Sequence, residues 1–275
     1  MSKEHDVSEG VISHYSQYNE AQRLFAGCSQ VERVRTERIL ARFLPKAPAT
    51  IVDVGGAAGV YALPLARQGY QVYLVDVVPA LISQAQAAEK QQPKHPLAAC
   101  MVGDARSVQL TDMLADAVLL MGPLYHLPDK DDRRQALSEA YRLLKSGGQV
   151  FAVGITRYAS FLGGLLYDML KDPVFLGIVK EDLKTGCHKN PTENIEYFTT
   201  AYYHQPDDLR DELAGVGFKQ ISVLGIEGPG WLMPNFDARW ADTEEREILL
   251  SLLEIVETEP HLLGASAHIM AIGKK

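Results

Sequence analysis

Residues 50–54, Thr-Ile-Val-Asp-Val, form a short β-branched run that ends against Gly55-Gly56-Ala57-Ala58-Gly59, and a helical pattern starts directly behind it. A strand that is apolar at consecutive positions needs cover on both faces, which a parallel sheet flanked by helices supplies. The helical pattern covers residues 60–68 and stops at Gly69, after which Gln71-Val72-Tyr73-Leu74-Val75-Asp76 reads as a second strand. A helix carrying Leu81, Ala85 and Ala88 leads on to strands in "LAACMVGDA" and "ADAVLLMG". The helix "DDRRQALSEAYRLL", closed by Gly147 and Gly148, precedes the strand "QVFAVGI". Strands and helices alternating at this spacing predict an α/β fold with a doubly wound, mostly parallel sheet and right-handed crossovers.

The rest of the chain frames this core. Residues 11–44 read as helical, with Leu40, Phe43 and Leu44 on one face until Pro45 stops the pattern. Residues 156–204 break the alternation with two helical patterns, "SFLGGLLYDML" and "VFLGIVKEDL", then a polar loop and the strand "YFTTAYYH". Behind them come the helix "PDDLRDELAGVGF", the strand "KQISVLGI", a helix with Ile248, Leu252 and Val256, and the last strand "AHIMAIG". The expected layout is a helical cap over 1–48, a ligand-binding core over 49–155, an inserted lid over 156–204 and completion of the sheet over 205–275, all in one domain.

Charge and cysteine content narrow the function. Lys and Arg number 27 against 35 Asp and Glu, a formal net charge of -8 with no basic stripe, which argues against nucleic acid and against an anionic membrane. No apolar run approaches the ~18 residues of a membrane span. The polar start "MSKEHDVSEG" has no apolar targeting segment, so a cytoplasmic protein is expected. Cys28, Cys100 and Cys187 have no metal-ligand spacing and suggest neither a disulfide framework nor a metal site.

The first strand-to-helix turn is where a sheet of this kind binds its ligand. A dinucleotide fingerprint would need glycine where this chain has Ala57 and Val60, and no Gly-Lys-Ser/Thr follows to make a phosphate loop. The turn instead reads acid-x-Gly-x-small-x-Gly: Asp53, Gly55, Ala57 and Gly59, with Gly56 inside it. In this it resembles the class I S-adenosylmethionine-dependent methyltransferases, departing from their first motif only at Ala57. Asp76 ends the second strand where that family places an acid on the ribose hydroxyls, with Val77 beside it. Gly103, Asp104 and Ala105 follow the third strand where the family contacts adenine, and Met121 and Gly122 lie at the fourth-strand exit where the cofactor's methionine end meets the acceptor. The resemblance implies a seven-stranded Rossmann-like sheet, S-adenosyl-L-methionine as cofactor and S-adenosyl-L-homocysteine as product.

Transfer of a methyl group from a sulfonium asks the protein mainly to align the acceptor and exclude water, with a base where a hydroxyl or amine must lose a proton. His126, just beyond the fourth strand, is the first candidate base; Tyr125 is a candidate to orient the acceptor, and His204 a further candidate facing the pocket. His188, in a polar loop, reads as solvated. Tyr15, Tyr18 and Arg23 fall on an N-terminal helix of the kind the family folds over the cofactor, where a tyrosine can lie against the sulfonium and an arginine on the carboxylate. Trp231 suits either an acceptor pocket or a staple on the insertion. A small-molecule acceptor is expected, and the apolar last helix is compatible with a homodimer interface. Two other classes remain open: a non-catalytic cofactor-binding or partner protein, and an NAD-dependent oxidoreductase.

Overall fold

The structure, a computed structural model, describes residues 12, 15 and 23–275. Its centre is a sheet in which β1 (Thr50–Val54) pairs in parallel with β2 (Gln71–Asp76) on one side and β4 (Ala115–Leu120) on the other. Beyond β2 lies β3 (Ala99–Val102), and beyond β4 lies β5 (Leu144–Thr156), both parallel. The antiparallel β9 (His268–Lys274) runs along β5, and β8 (Lys219–Gly225) along β9. The mostly parallel sheet expected from the alternation, with the seven strands that the resemblance implies, is therefore present. A small ribbon of β6 (Cys187–His188) and β7 (Ala201–His204) attaches to the end of β5 through Ile155 and Thr156.

Helices cover both faces because the strands are apolar on both. One core holds Ile51, Leu74, Leu119 and Phe151 with Ile39 and Leu40 of α1 (Ser29–Phe43), Leu63 and Leu65 of α2 (Ala62–Arg67), and Ile82 of α3 (Pro79–Glu89). The other holds Val52, Val118 and Val150 with Leu137 of α4 (Lys130–Leu143) and Leu209 and Leu213 of α7 (Pro206–Val216). Strand order reverses between β1 and β4, and the crevice outside their carboxyl ends is where such a sheet receives ligands.

After β5 come α5 (Ala159–Leu166) and α6 (Pro173–Thr185), the latter opened by Asp172, whose carboxylate accepts the amides of Val174 and Phe175. Asp182 of α6 accepts the Ser160 hydroxyl at 2.6 Å and lies 2.9 Å from Nδ1 of His188, whose Nε2 sits 2.7 Å from the Tyr197 carbonyl. His188 is consequently buried, not solvated: the loop that looked polar in sequence folds in to satisfy Asp182. Trp231 is the staple of the two alternatives, its indole N–H donating to the Ala265 carbonyl and its ring lying over Gly163 of α5. Past α8 (Phe236–Ala241), α9 (Thr243–Val256) turns Leu250 and Leu253 inward and leaves Ile248, Leu252 and Ile255 exposed. Among the described residues no helix is long and apolar enough to cross a membrane.

Candidate functional site

The turn after β1 is shaped by its own packing. Gly55 has φ +74°, and a Cβ there would sit 2.5 Å from Cδ of Pro123, just past β4. A Cβ on Gly56 would collide with Leu74 and the Asp53 carboxylate. Ala57 is left-handed at φ +49°, a conformation L side chains resist, and its N–H donates to Oδ2 of Asp76 at 2.8 Å. The two glycines thus let the loop settle between β2 and the exit of β4, where its backbone lines a cavity of about 1070 Å³, open mouth included.

That cavity gathers residues far apart in sequence. Asp53, Gly55, Gly56, Ala57, Asp76, Val77, Gly103, Asp104, Ala105, Met121 and Gly122 all line it. Tyr125 and His126 close one end together with Tyr15 and Arg23 from the N-terminal segment. Gly59 does not reach it. With φ +83° and Leu63 packed against it, Gly59 shapes the entry to α2 instead. Tyr18 lies outside the described residues. His204 is also absent from the cavity: it is buried against Gly154 of β5 with Nε2 3.3 Å from Glu212 of α7. Burial lowers its pKa despite that carboxylate, and its ring lies at the joint between β7 and α7.

The acids of the cavity are held in different ways. Asp76 accepts the amides of Val78 and Ala57, both at 2.8 Å; burial raises its pKa and these backbone bonds oppose the rise. Asp53 is fully buried, neither carboxylate oxygen has a hydrogen-bond partner among the described residues, and burial beside Asp76 raises its pKa to about 7. Asp104 is clasped by Arg106, which also reaches Asp132 at 3.0 Å. Glu32 of α1 forms a forked pair with Arg23 at 2.6 and 3.1 Å.

Sequence reasoning did not find Glu32 or Arg106. Arg106 had a local signal, two residues after Asp104. Glu32 had none, because it reaches the cavity only through the packing of α1.

At the far end the Tyr15 hydroxyl lies 2.8 Å from Nε2 of His126, whose ring packs against Tyr125 and Phe198. Tyr125 donates to the Met121 carbonyl at 3.2 Å, which fixes the β4 exit. The wall carries four carboxylates (Glu32, Asp53, Asp76, Asp104) against two guanidinium groups (Arg23, Arg106), a balance that suits a cationic ligand and disfavours a pyrophosphate. The residues present also fit S-adenosylmethionine chemically. Asp76 offers carboxylate oxygens for a diol, the orphaned Asp53 lies where positive charge would relieve it, and the backbone at Gly55–Ala57 permits close approach.

A family model for methyltransferase domains matches residues 52–152. The chain is 25% identical over 231 residues to the ubiquinone/menaquinone biosynthesis C-methyltransferase of Acidiphilium cryptum, covering 82% of this chain and 86% of that one. It is 33% identical over 130 residues to the ubiquinone biosynthesis O-methyltransferase of Xylella fastidiosa, covering 45% of this chain and only 48%, about half, of that enzyme. Among solved structures it is similar to a SAM-dependent methyltransferase of Thermotoga maritima described as a possible histamine N-methyltransferase. That similarity has a TM-score of 0.57 and 20% identity, and covers 96% and 99% of the two chains.

Proposed function

The chain belongs to the class I S-adenosylmethionine-dependent methyltransferases, and from that premise we propose that it methylates an oxygen or nitrogen of a small-molecule acceptor, with His126 taking the proton. The observation that carries this reading is the single cavity shared by the Gly55–Ala57 turn, Asp76 and the Tyr15–His126 pair. When bound, S-adenosylmethionine supplies a methyl group on cationic sulfur, open to in-line displacement. Asp76 holds the ribose hydroxyls, Asp104 and Ala105 border the adenine, and Arg23 meets the carboxylate of the amino-acid end. Tyr125 and Pro123 wall the acceptor side and keep water from it. His126, oriented by Tyr15, accepts the proton of a hydroxyl or ammonium group near neutral pH.

The likeness to an O-methyltransferase favours oxygen. Transfer to carbon is the second reading, favoured by the relative named as a C-methyltransferase over most of the chain.

The test is calorimetric titration with S-adenosylmethionine, S-adenosylhomocysteine and NAD, followed by incubation of methyl-labelled cofactor with phenol, amine and activated-carbon acceptors. Micromolar binding of the first two ligands and label on oxygen or nitrogen supports the proposal. Label found on carbon alone replaces it with the second reading, and binding of NAD alone removes both.

A further inference from the structure

Beside the cavity lies a charged cluster to which the reading above gives no part in the transfer step. Glu32 lines the cavity, with its side chain 13% exposed. Its Oε2 lies 3.8 Å from Nδ1 of His268, and that nitrogen is 2.6 Å from Oε1 of Glu227. The other Glu227 oxygen accepts the Ser266 hydroxyl at 2.8 Å and the His268 amide at 2.9 Å. His268 opens β9, which is paired with β5 along its length. A chain of polar contacts therefore runs from the start of β9 through Glu227, His268 and Glu32 to Arg23.

The donor set of Glu32, Glu227 and His268 has the composition of a metal site, with ligand atoms all within 4.8 Å of one another. Its atoms are already turned to one another and to Arg23, and the charges balance, with two carboxylates against a guanidinium and an imidazolium. Burial works against ionising Glu32, yet the charges of Arg23 and His268 outweigh it and hold the carboxyl below its usual range. His268 is pushed up to about 9, the Glu32 and Glu227 charges outweighing its burial. The cluster is thus an ion-pair relay with one end at the cavity wall.

We propose that Glu32, itself held by His268 and Glu227, is a positioning residue that fixes the Arg23 guanidinium at the cavity wall for the zwitterionic amino-acid end of the cofactor. The inference rests on the reading above that Arg23 meets that end. A guanidinium on a long flexible stem loses much of its conformational freedom when it binds an anion. One already forked to a sheet-anchored carboxylate loses less. The forked pair also presents both signs of charge, which matches an α-amino acid better than an isolated arginine does.

The experiment compares two ligands by calorimetry: S-adenosylhomocysteine, and 5′-methylthioadenosine, which keeps the nucleoside and thioether but has no amino-acid end. Glu32→Gln is expected to weaken S-adenosylhomocysteine about tenfold or more while moving methylthioadenosine by less than about twofold. Retained methylthioadenosine binding also reports a folded nucleoside site. Arg23→Gln is expected to give the same split, and the double variant little further loss, because the two residues act as a unit. Equal weakening of both ligands, or of neither, overturns the positioning role. A wild-type protein that binds neither nucleoside instead removes the cofactor reading itself, a distinct result.

Discussion

The Tyr15 hydroxyl and Nε2 of His126, 111 residues apart in sequence, lie 2.8 Å from each other with their rings edge to face at 5.3 Å. The contact fixes the imidazole at the end of the cavity, where the proposed base would act. His126→Gln is expected to lower kcat by roughly 10² to 10⁴ while cofactor affinity stays within about threefold, since general-base catalysis contributes on that scale. Tyr15→Phe, which keeps the ring but removes the hydroxyl, is expected to cost about tenfold in kcat. Steady-state kinetics with calorimetry of the same preparations decides it, and unchanged turnover in His126→Gln removes that residue as the base.

Asp76 accepts the amides of Ala57 and Val78 and still carries further acceptor sites on the same two oxygens. Asp76→Asn keeps the shape but turns an NH₂ toward one of those N–H donors. The expected result is at least about tenfold weaker S-adenosylmethionine binding and a stability loss of about 1–3 kcal/mol from the unmatched amide. Calorimetry and thermal melting measure the two effects separately. Intact cofactor affinity would show that Asp76 does not hold the ribose.

Ala57 stands in the left-handed region at φ +49°, where glycine carries no penalty. An L residue there costs about 1–2 kcal/mol, whereas glycine costs about 0.5–1 kcal/mol of unfolded-state entropy. The Ala57 methyl also packs beside Val78 and Leu81, and that contact is lost on truncation. Ala57→Gly is therefore expected to be neutral or to gain up to about 1 kcal/mol, a rise of a few degrees in Tm. A drop in Tm would mean that the methyl contact outweighs the backbone strain.

How much of this was legible in sequence follows from how local each feature is. The β1 turn, Asp53, Asp76 and Asp104 could be read because strand periodicity and turn chemistry are set by neighbouring residues. The antiparallel β9 beside β5 is a matter of topology, and it is this pairing that brings His268 to Glu32. His204 and His188 misled for a related reason. Each stands at a strand end where the next element can cover it, and the partners that bury them, Glu212 and Asp182, lie on α7 and α6. A polar residue in an apparent loop looks solvated until its carboxylate partner is known.

Asp53 is fully buried, its carboxylate oxygens have no hydrogen-bond partner among the described residues, and burial with Asp76 nearby lifts its pKa to about 7 from the ordinary 3.8. The folded protein therefore retains a proton that the unfolded chain releases. Stability tied to this group is complete below the unfolded value near 3.8, declines as pH rises through the window up to about 7, and stays at the lower level above it. The full span corresponds to roughly 4 kcal/mol. Asp53→Asn cannot titrate, so relative to wild type it is expected to gain stability between pH 5 and pH 8. His268 and the other titrating groups remain in both proteins and cancel in the comparison. The gain has a functional cost: a cationic cofactor favours the ionised carboxylate, so the variant is expected to bind S-adenosylmethionine more weakly at pH 8, with the difference shrinking toward pH 5. Melting curves and calorimetry at the two pH values test both halves. Parallel pH slopes for the two proteins would show that Asp53 does not hold its proton in the folded state.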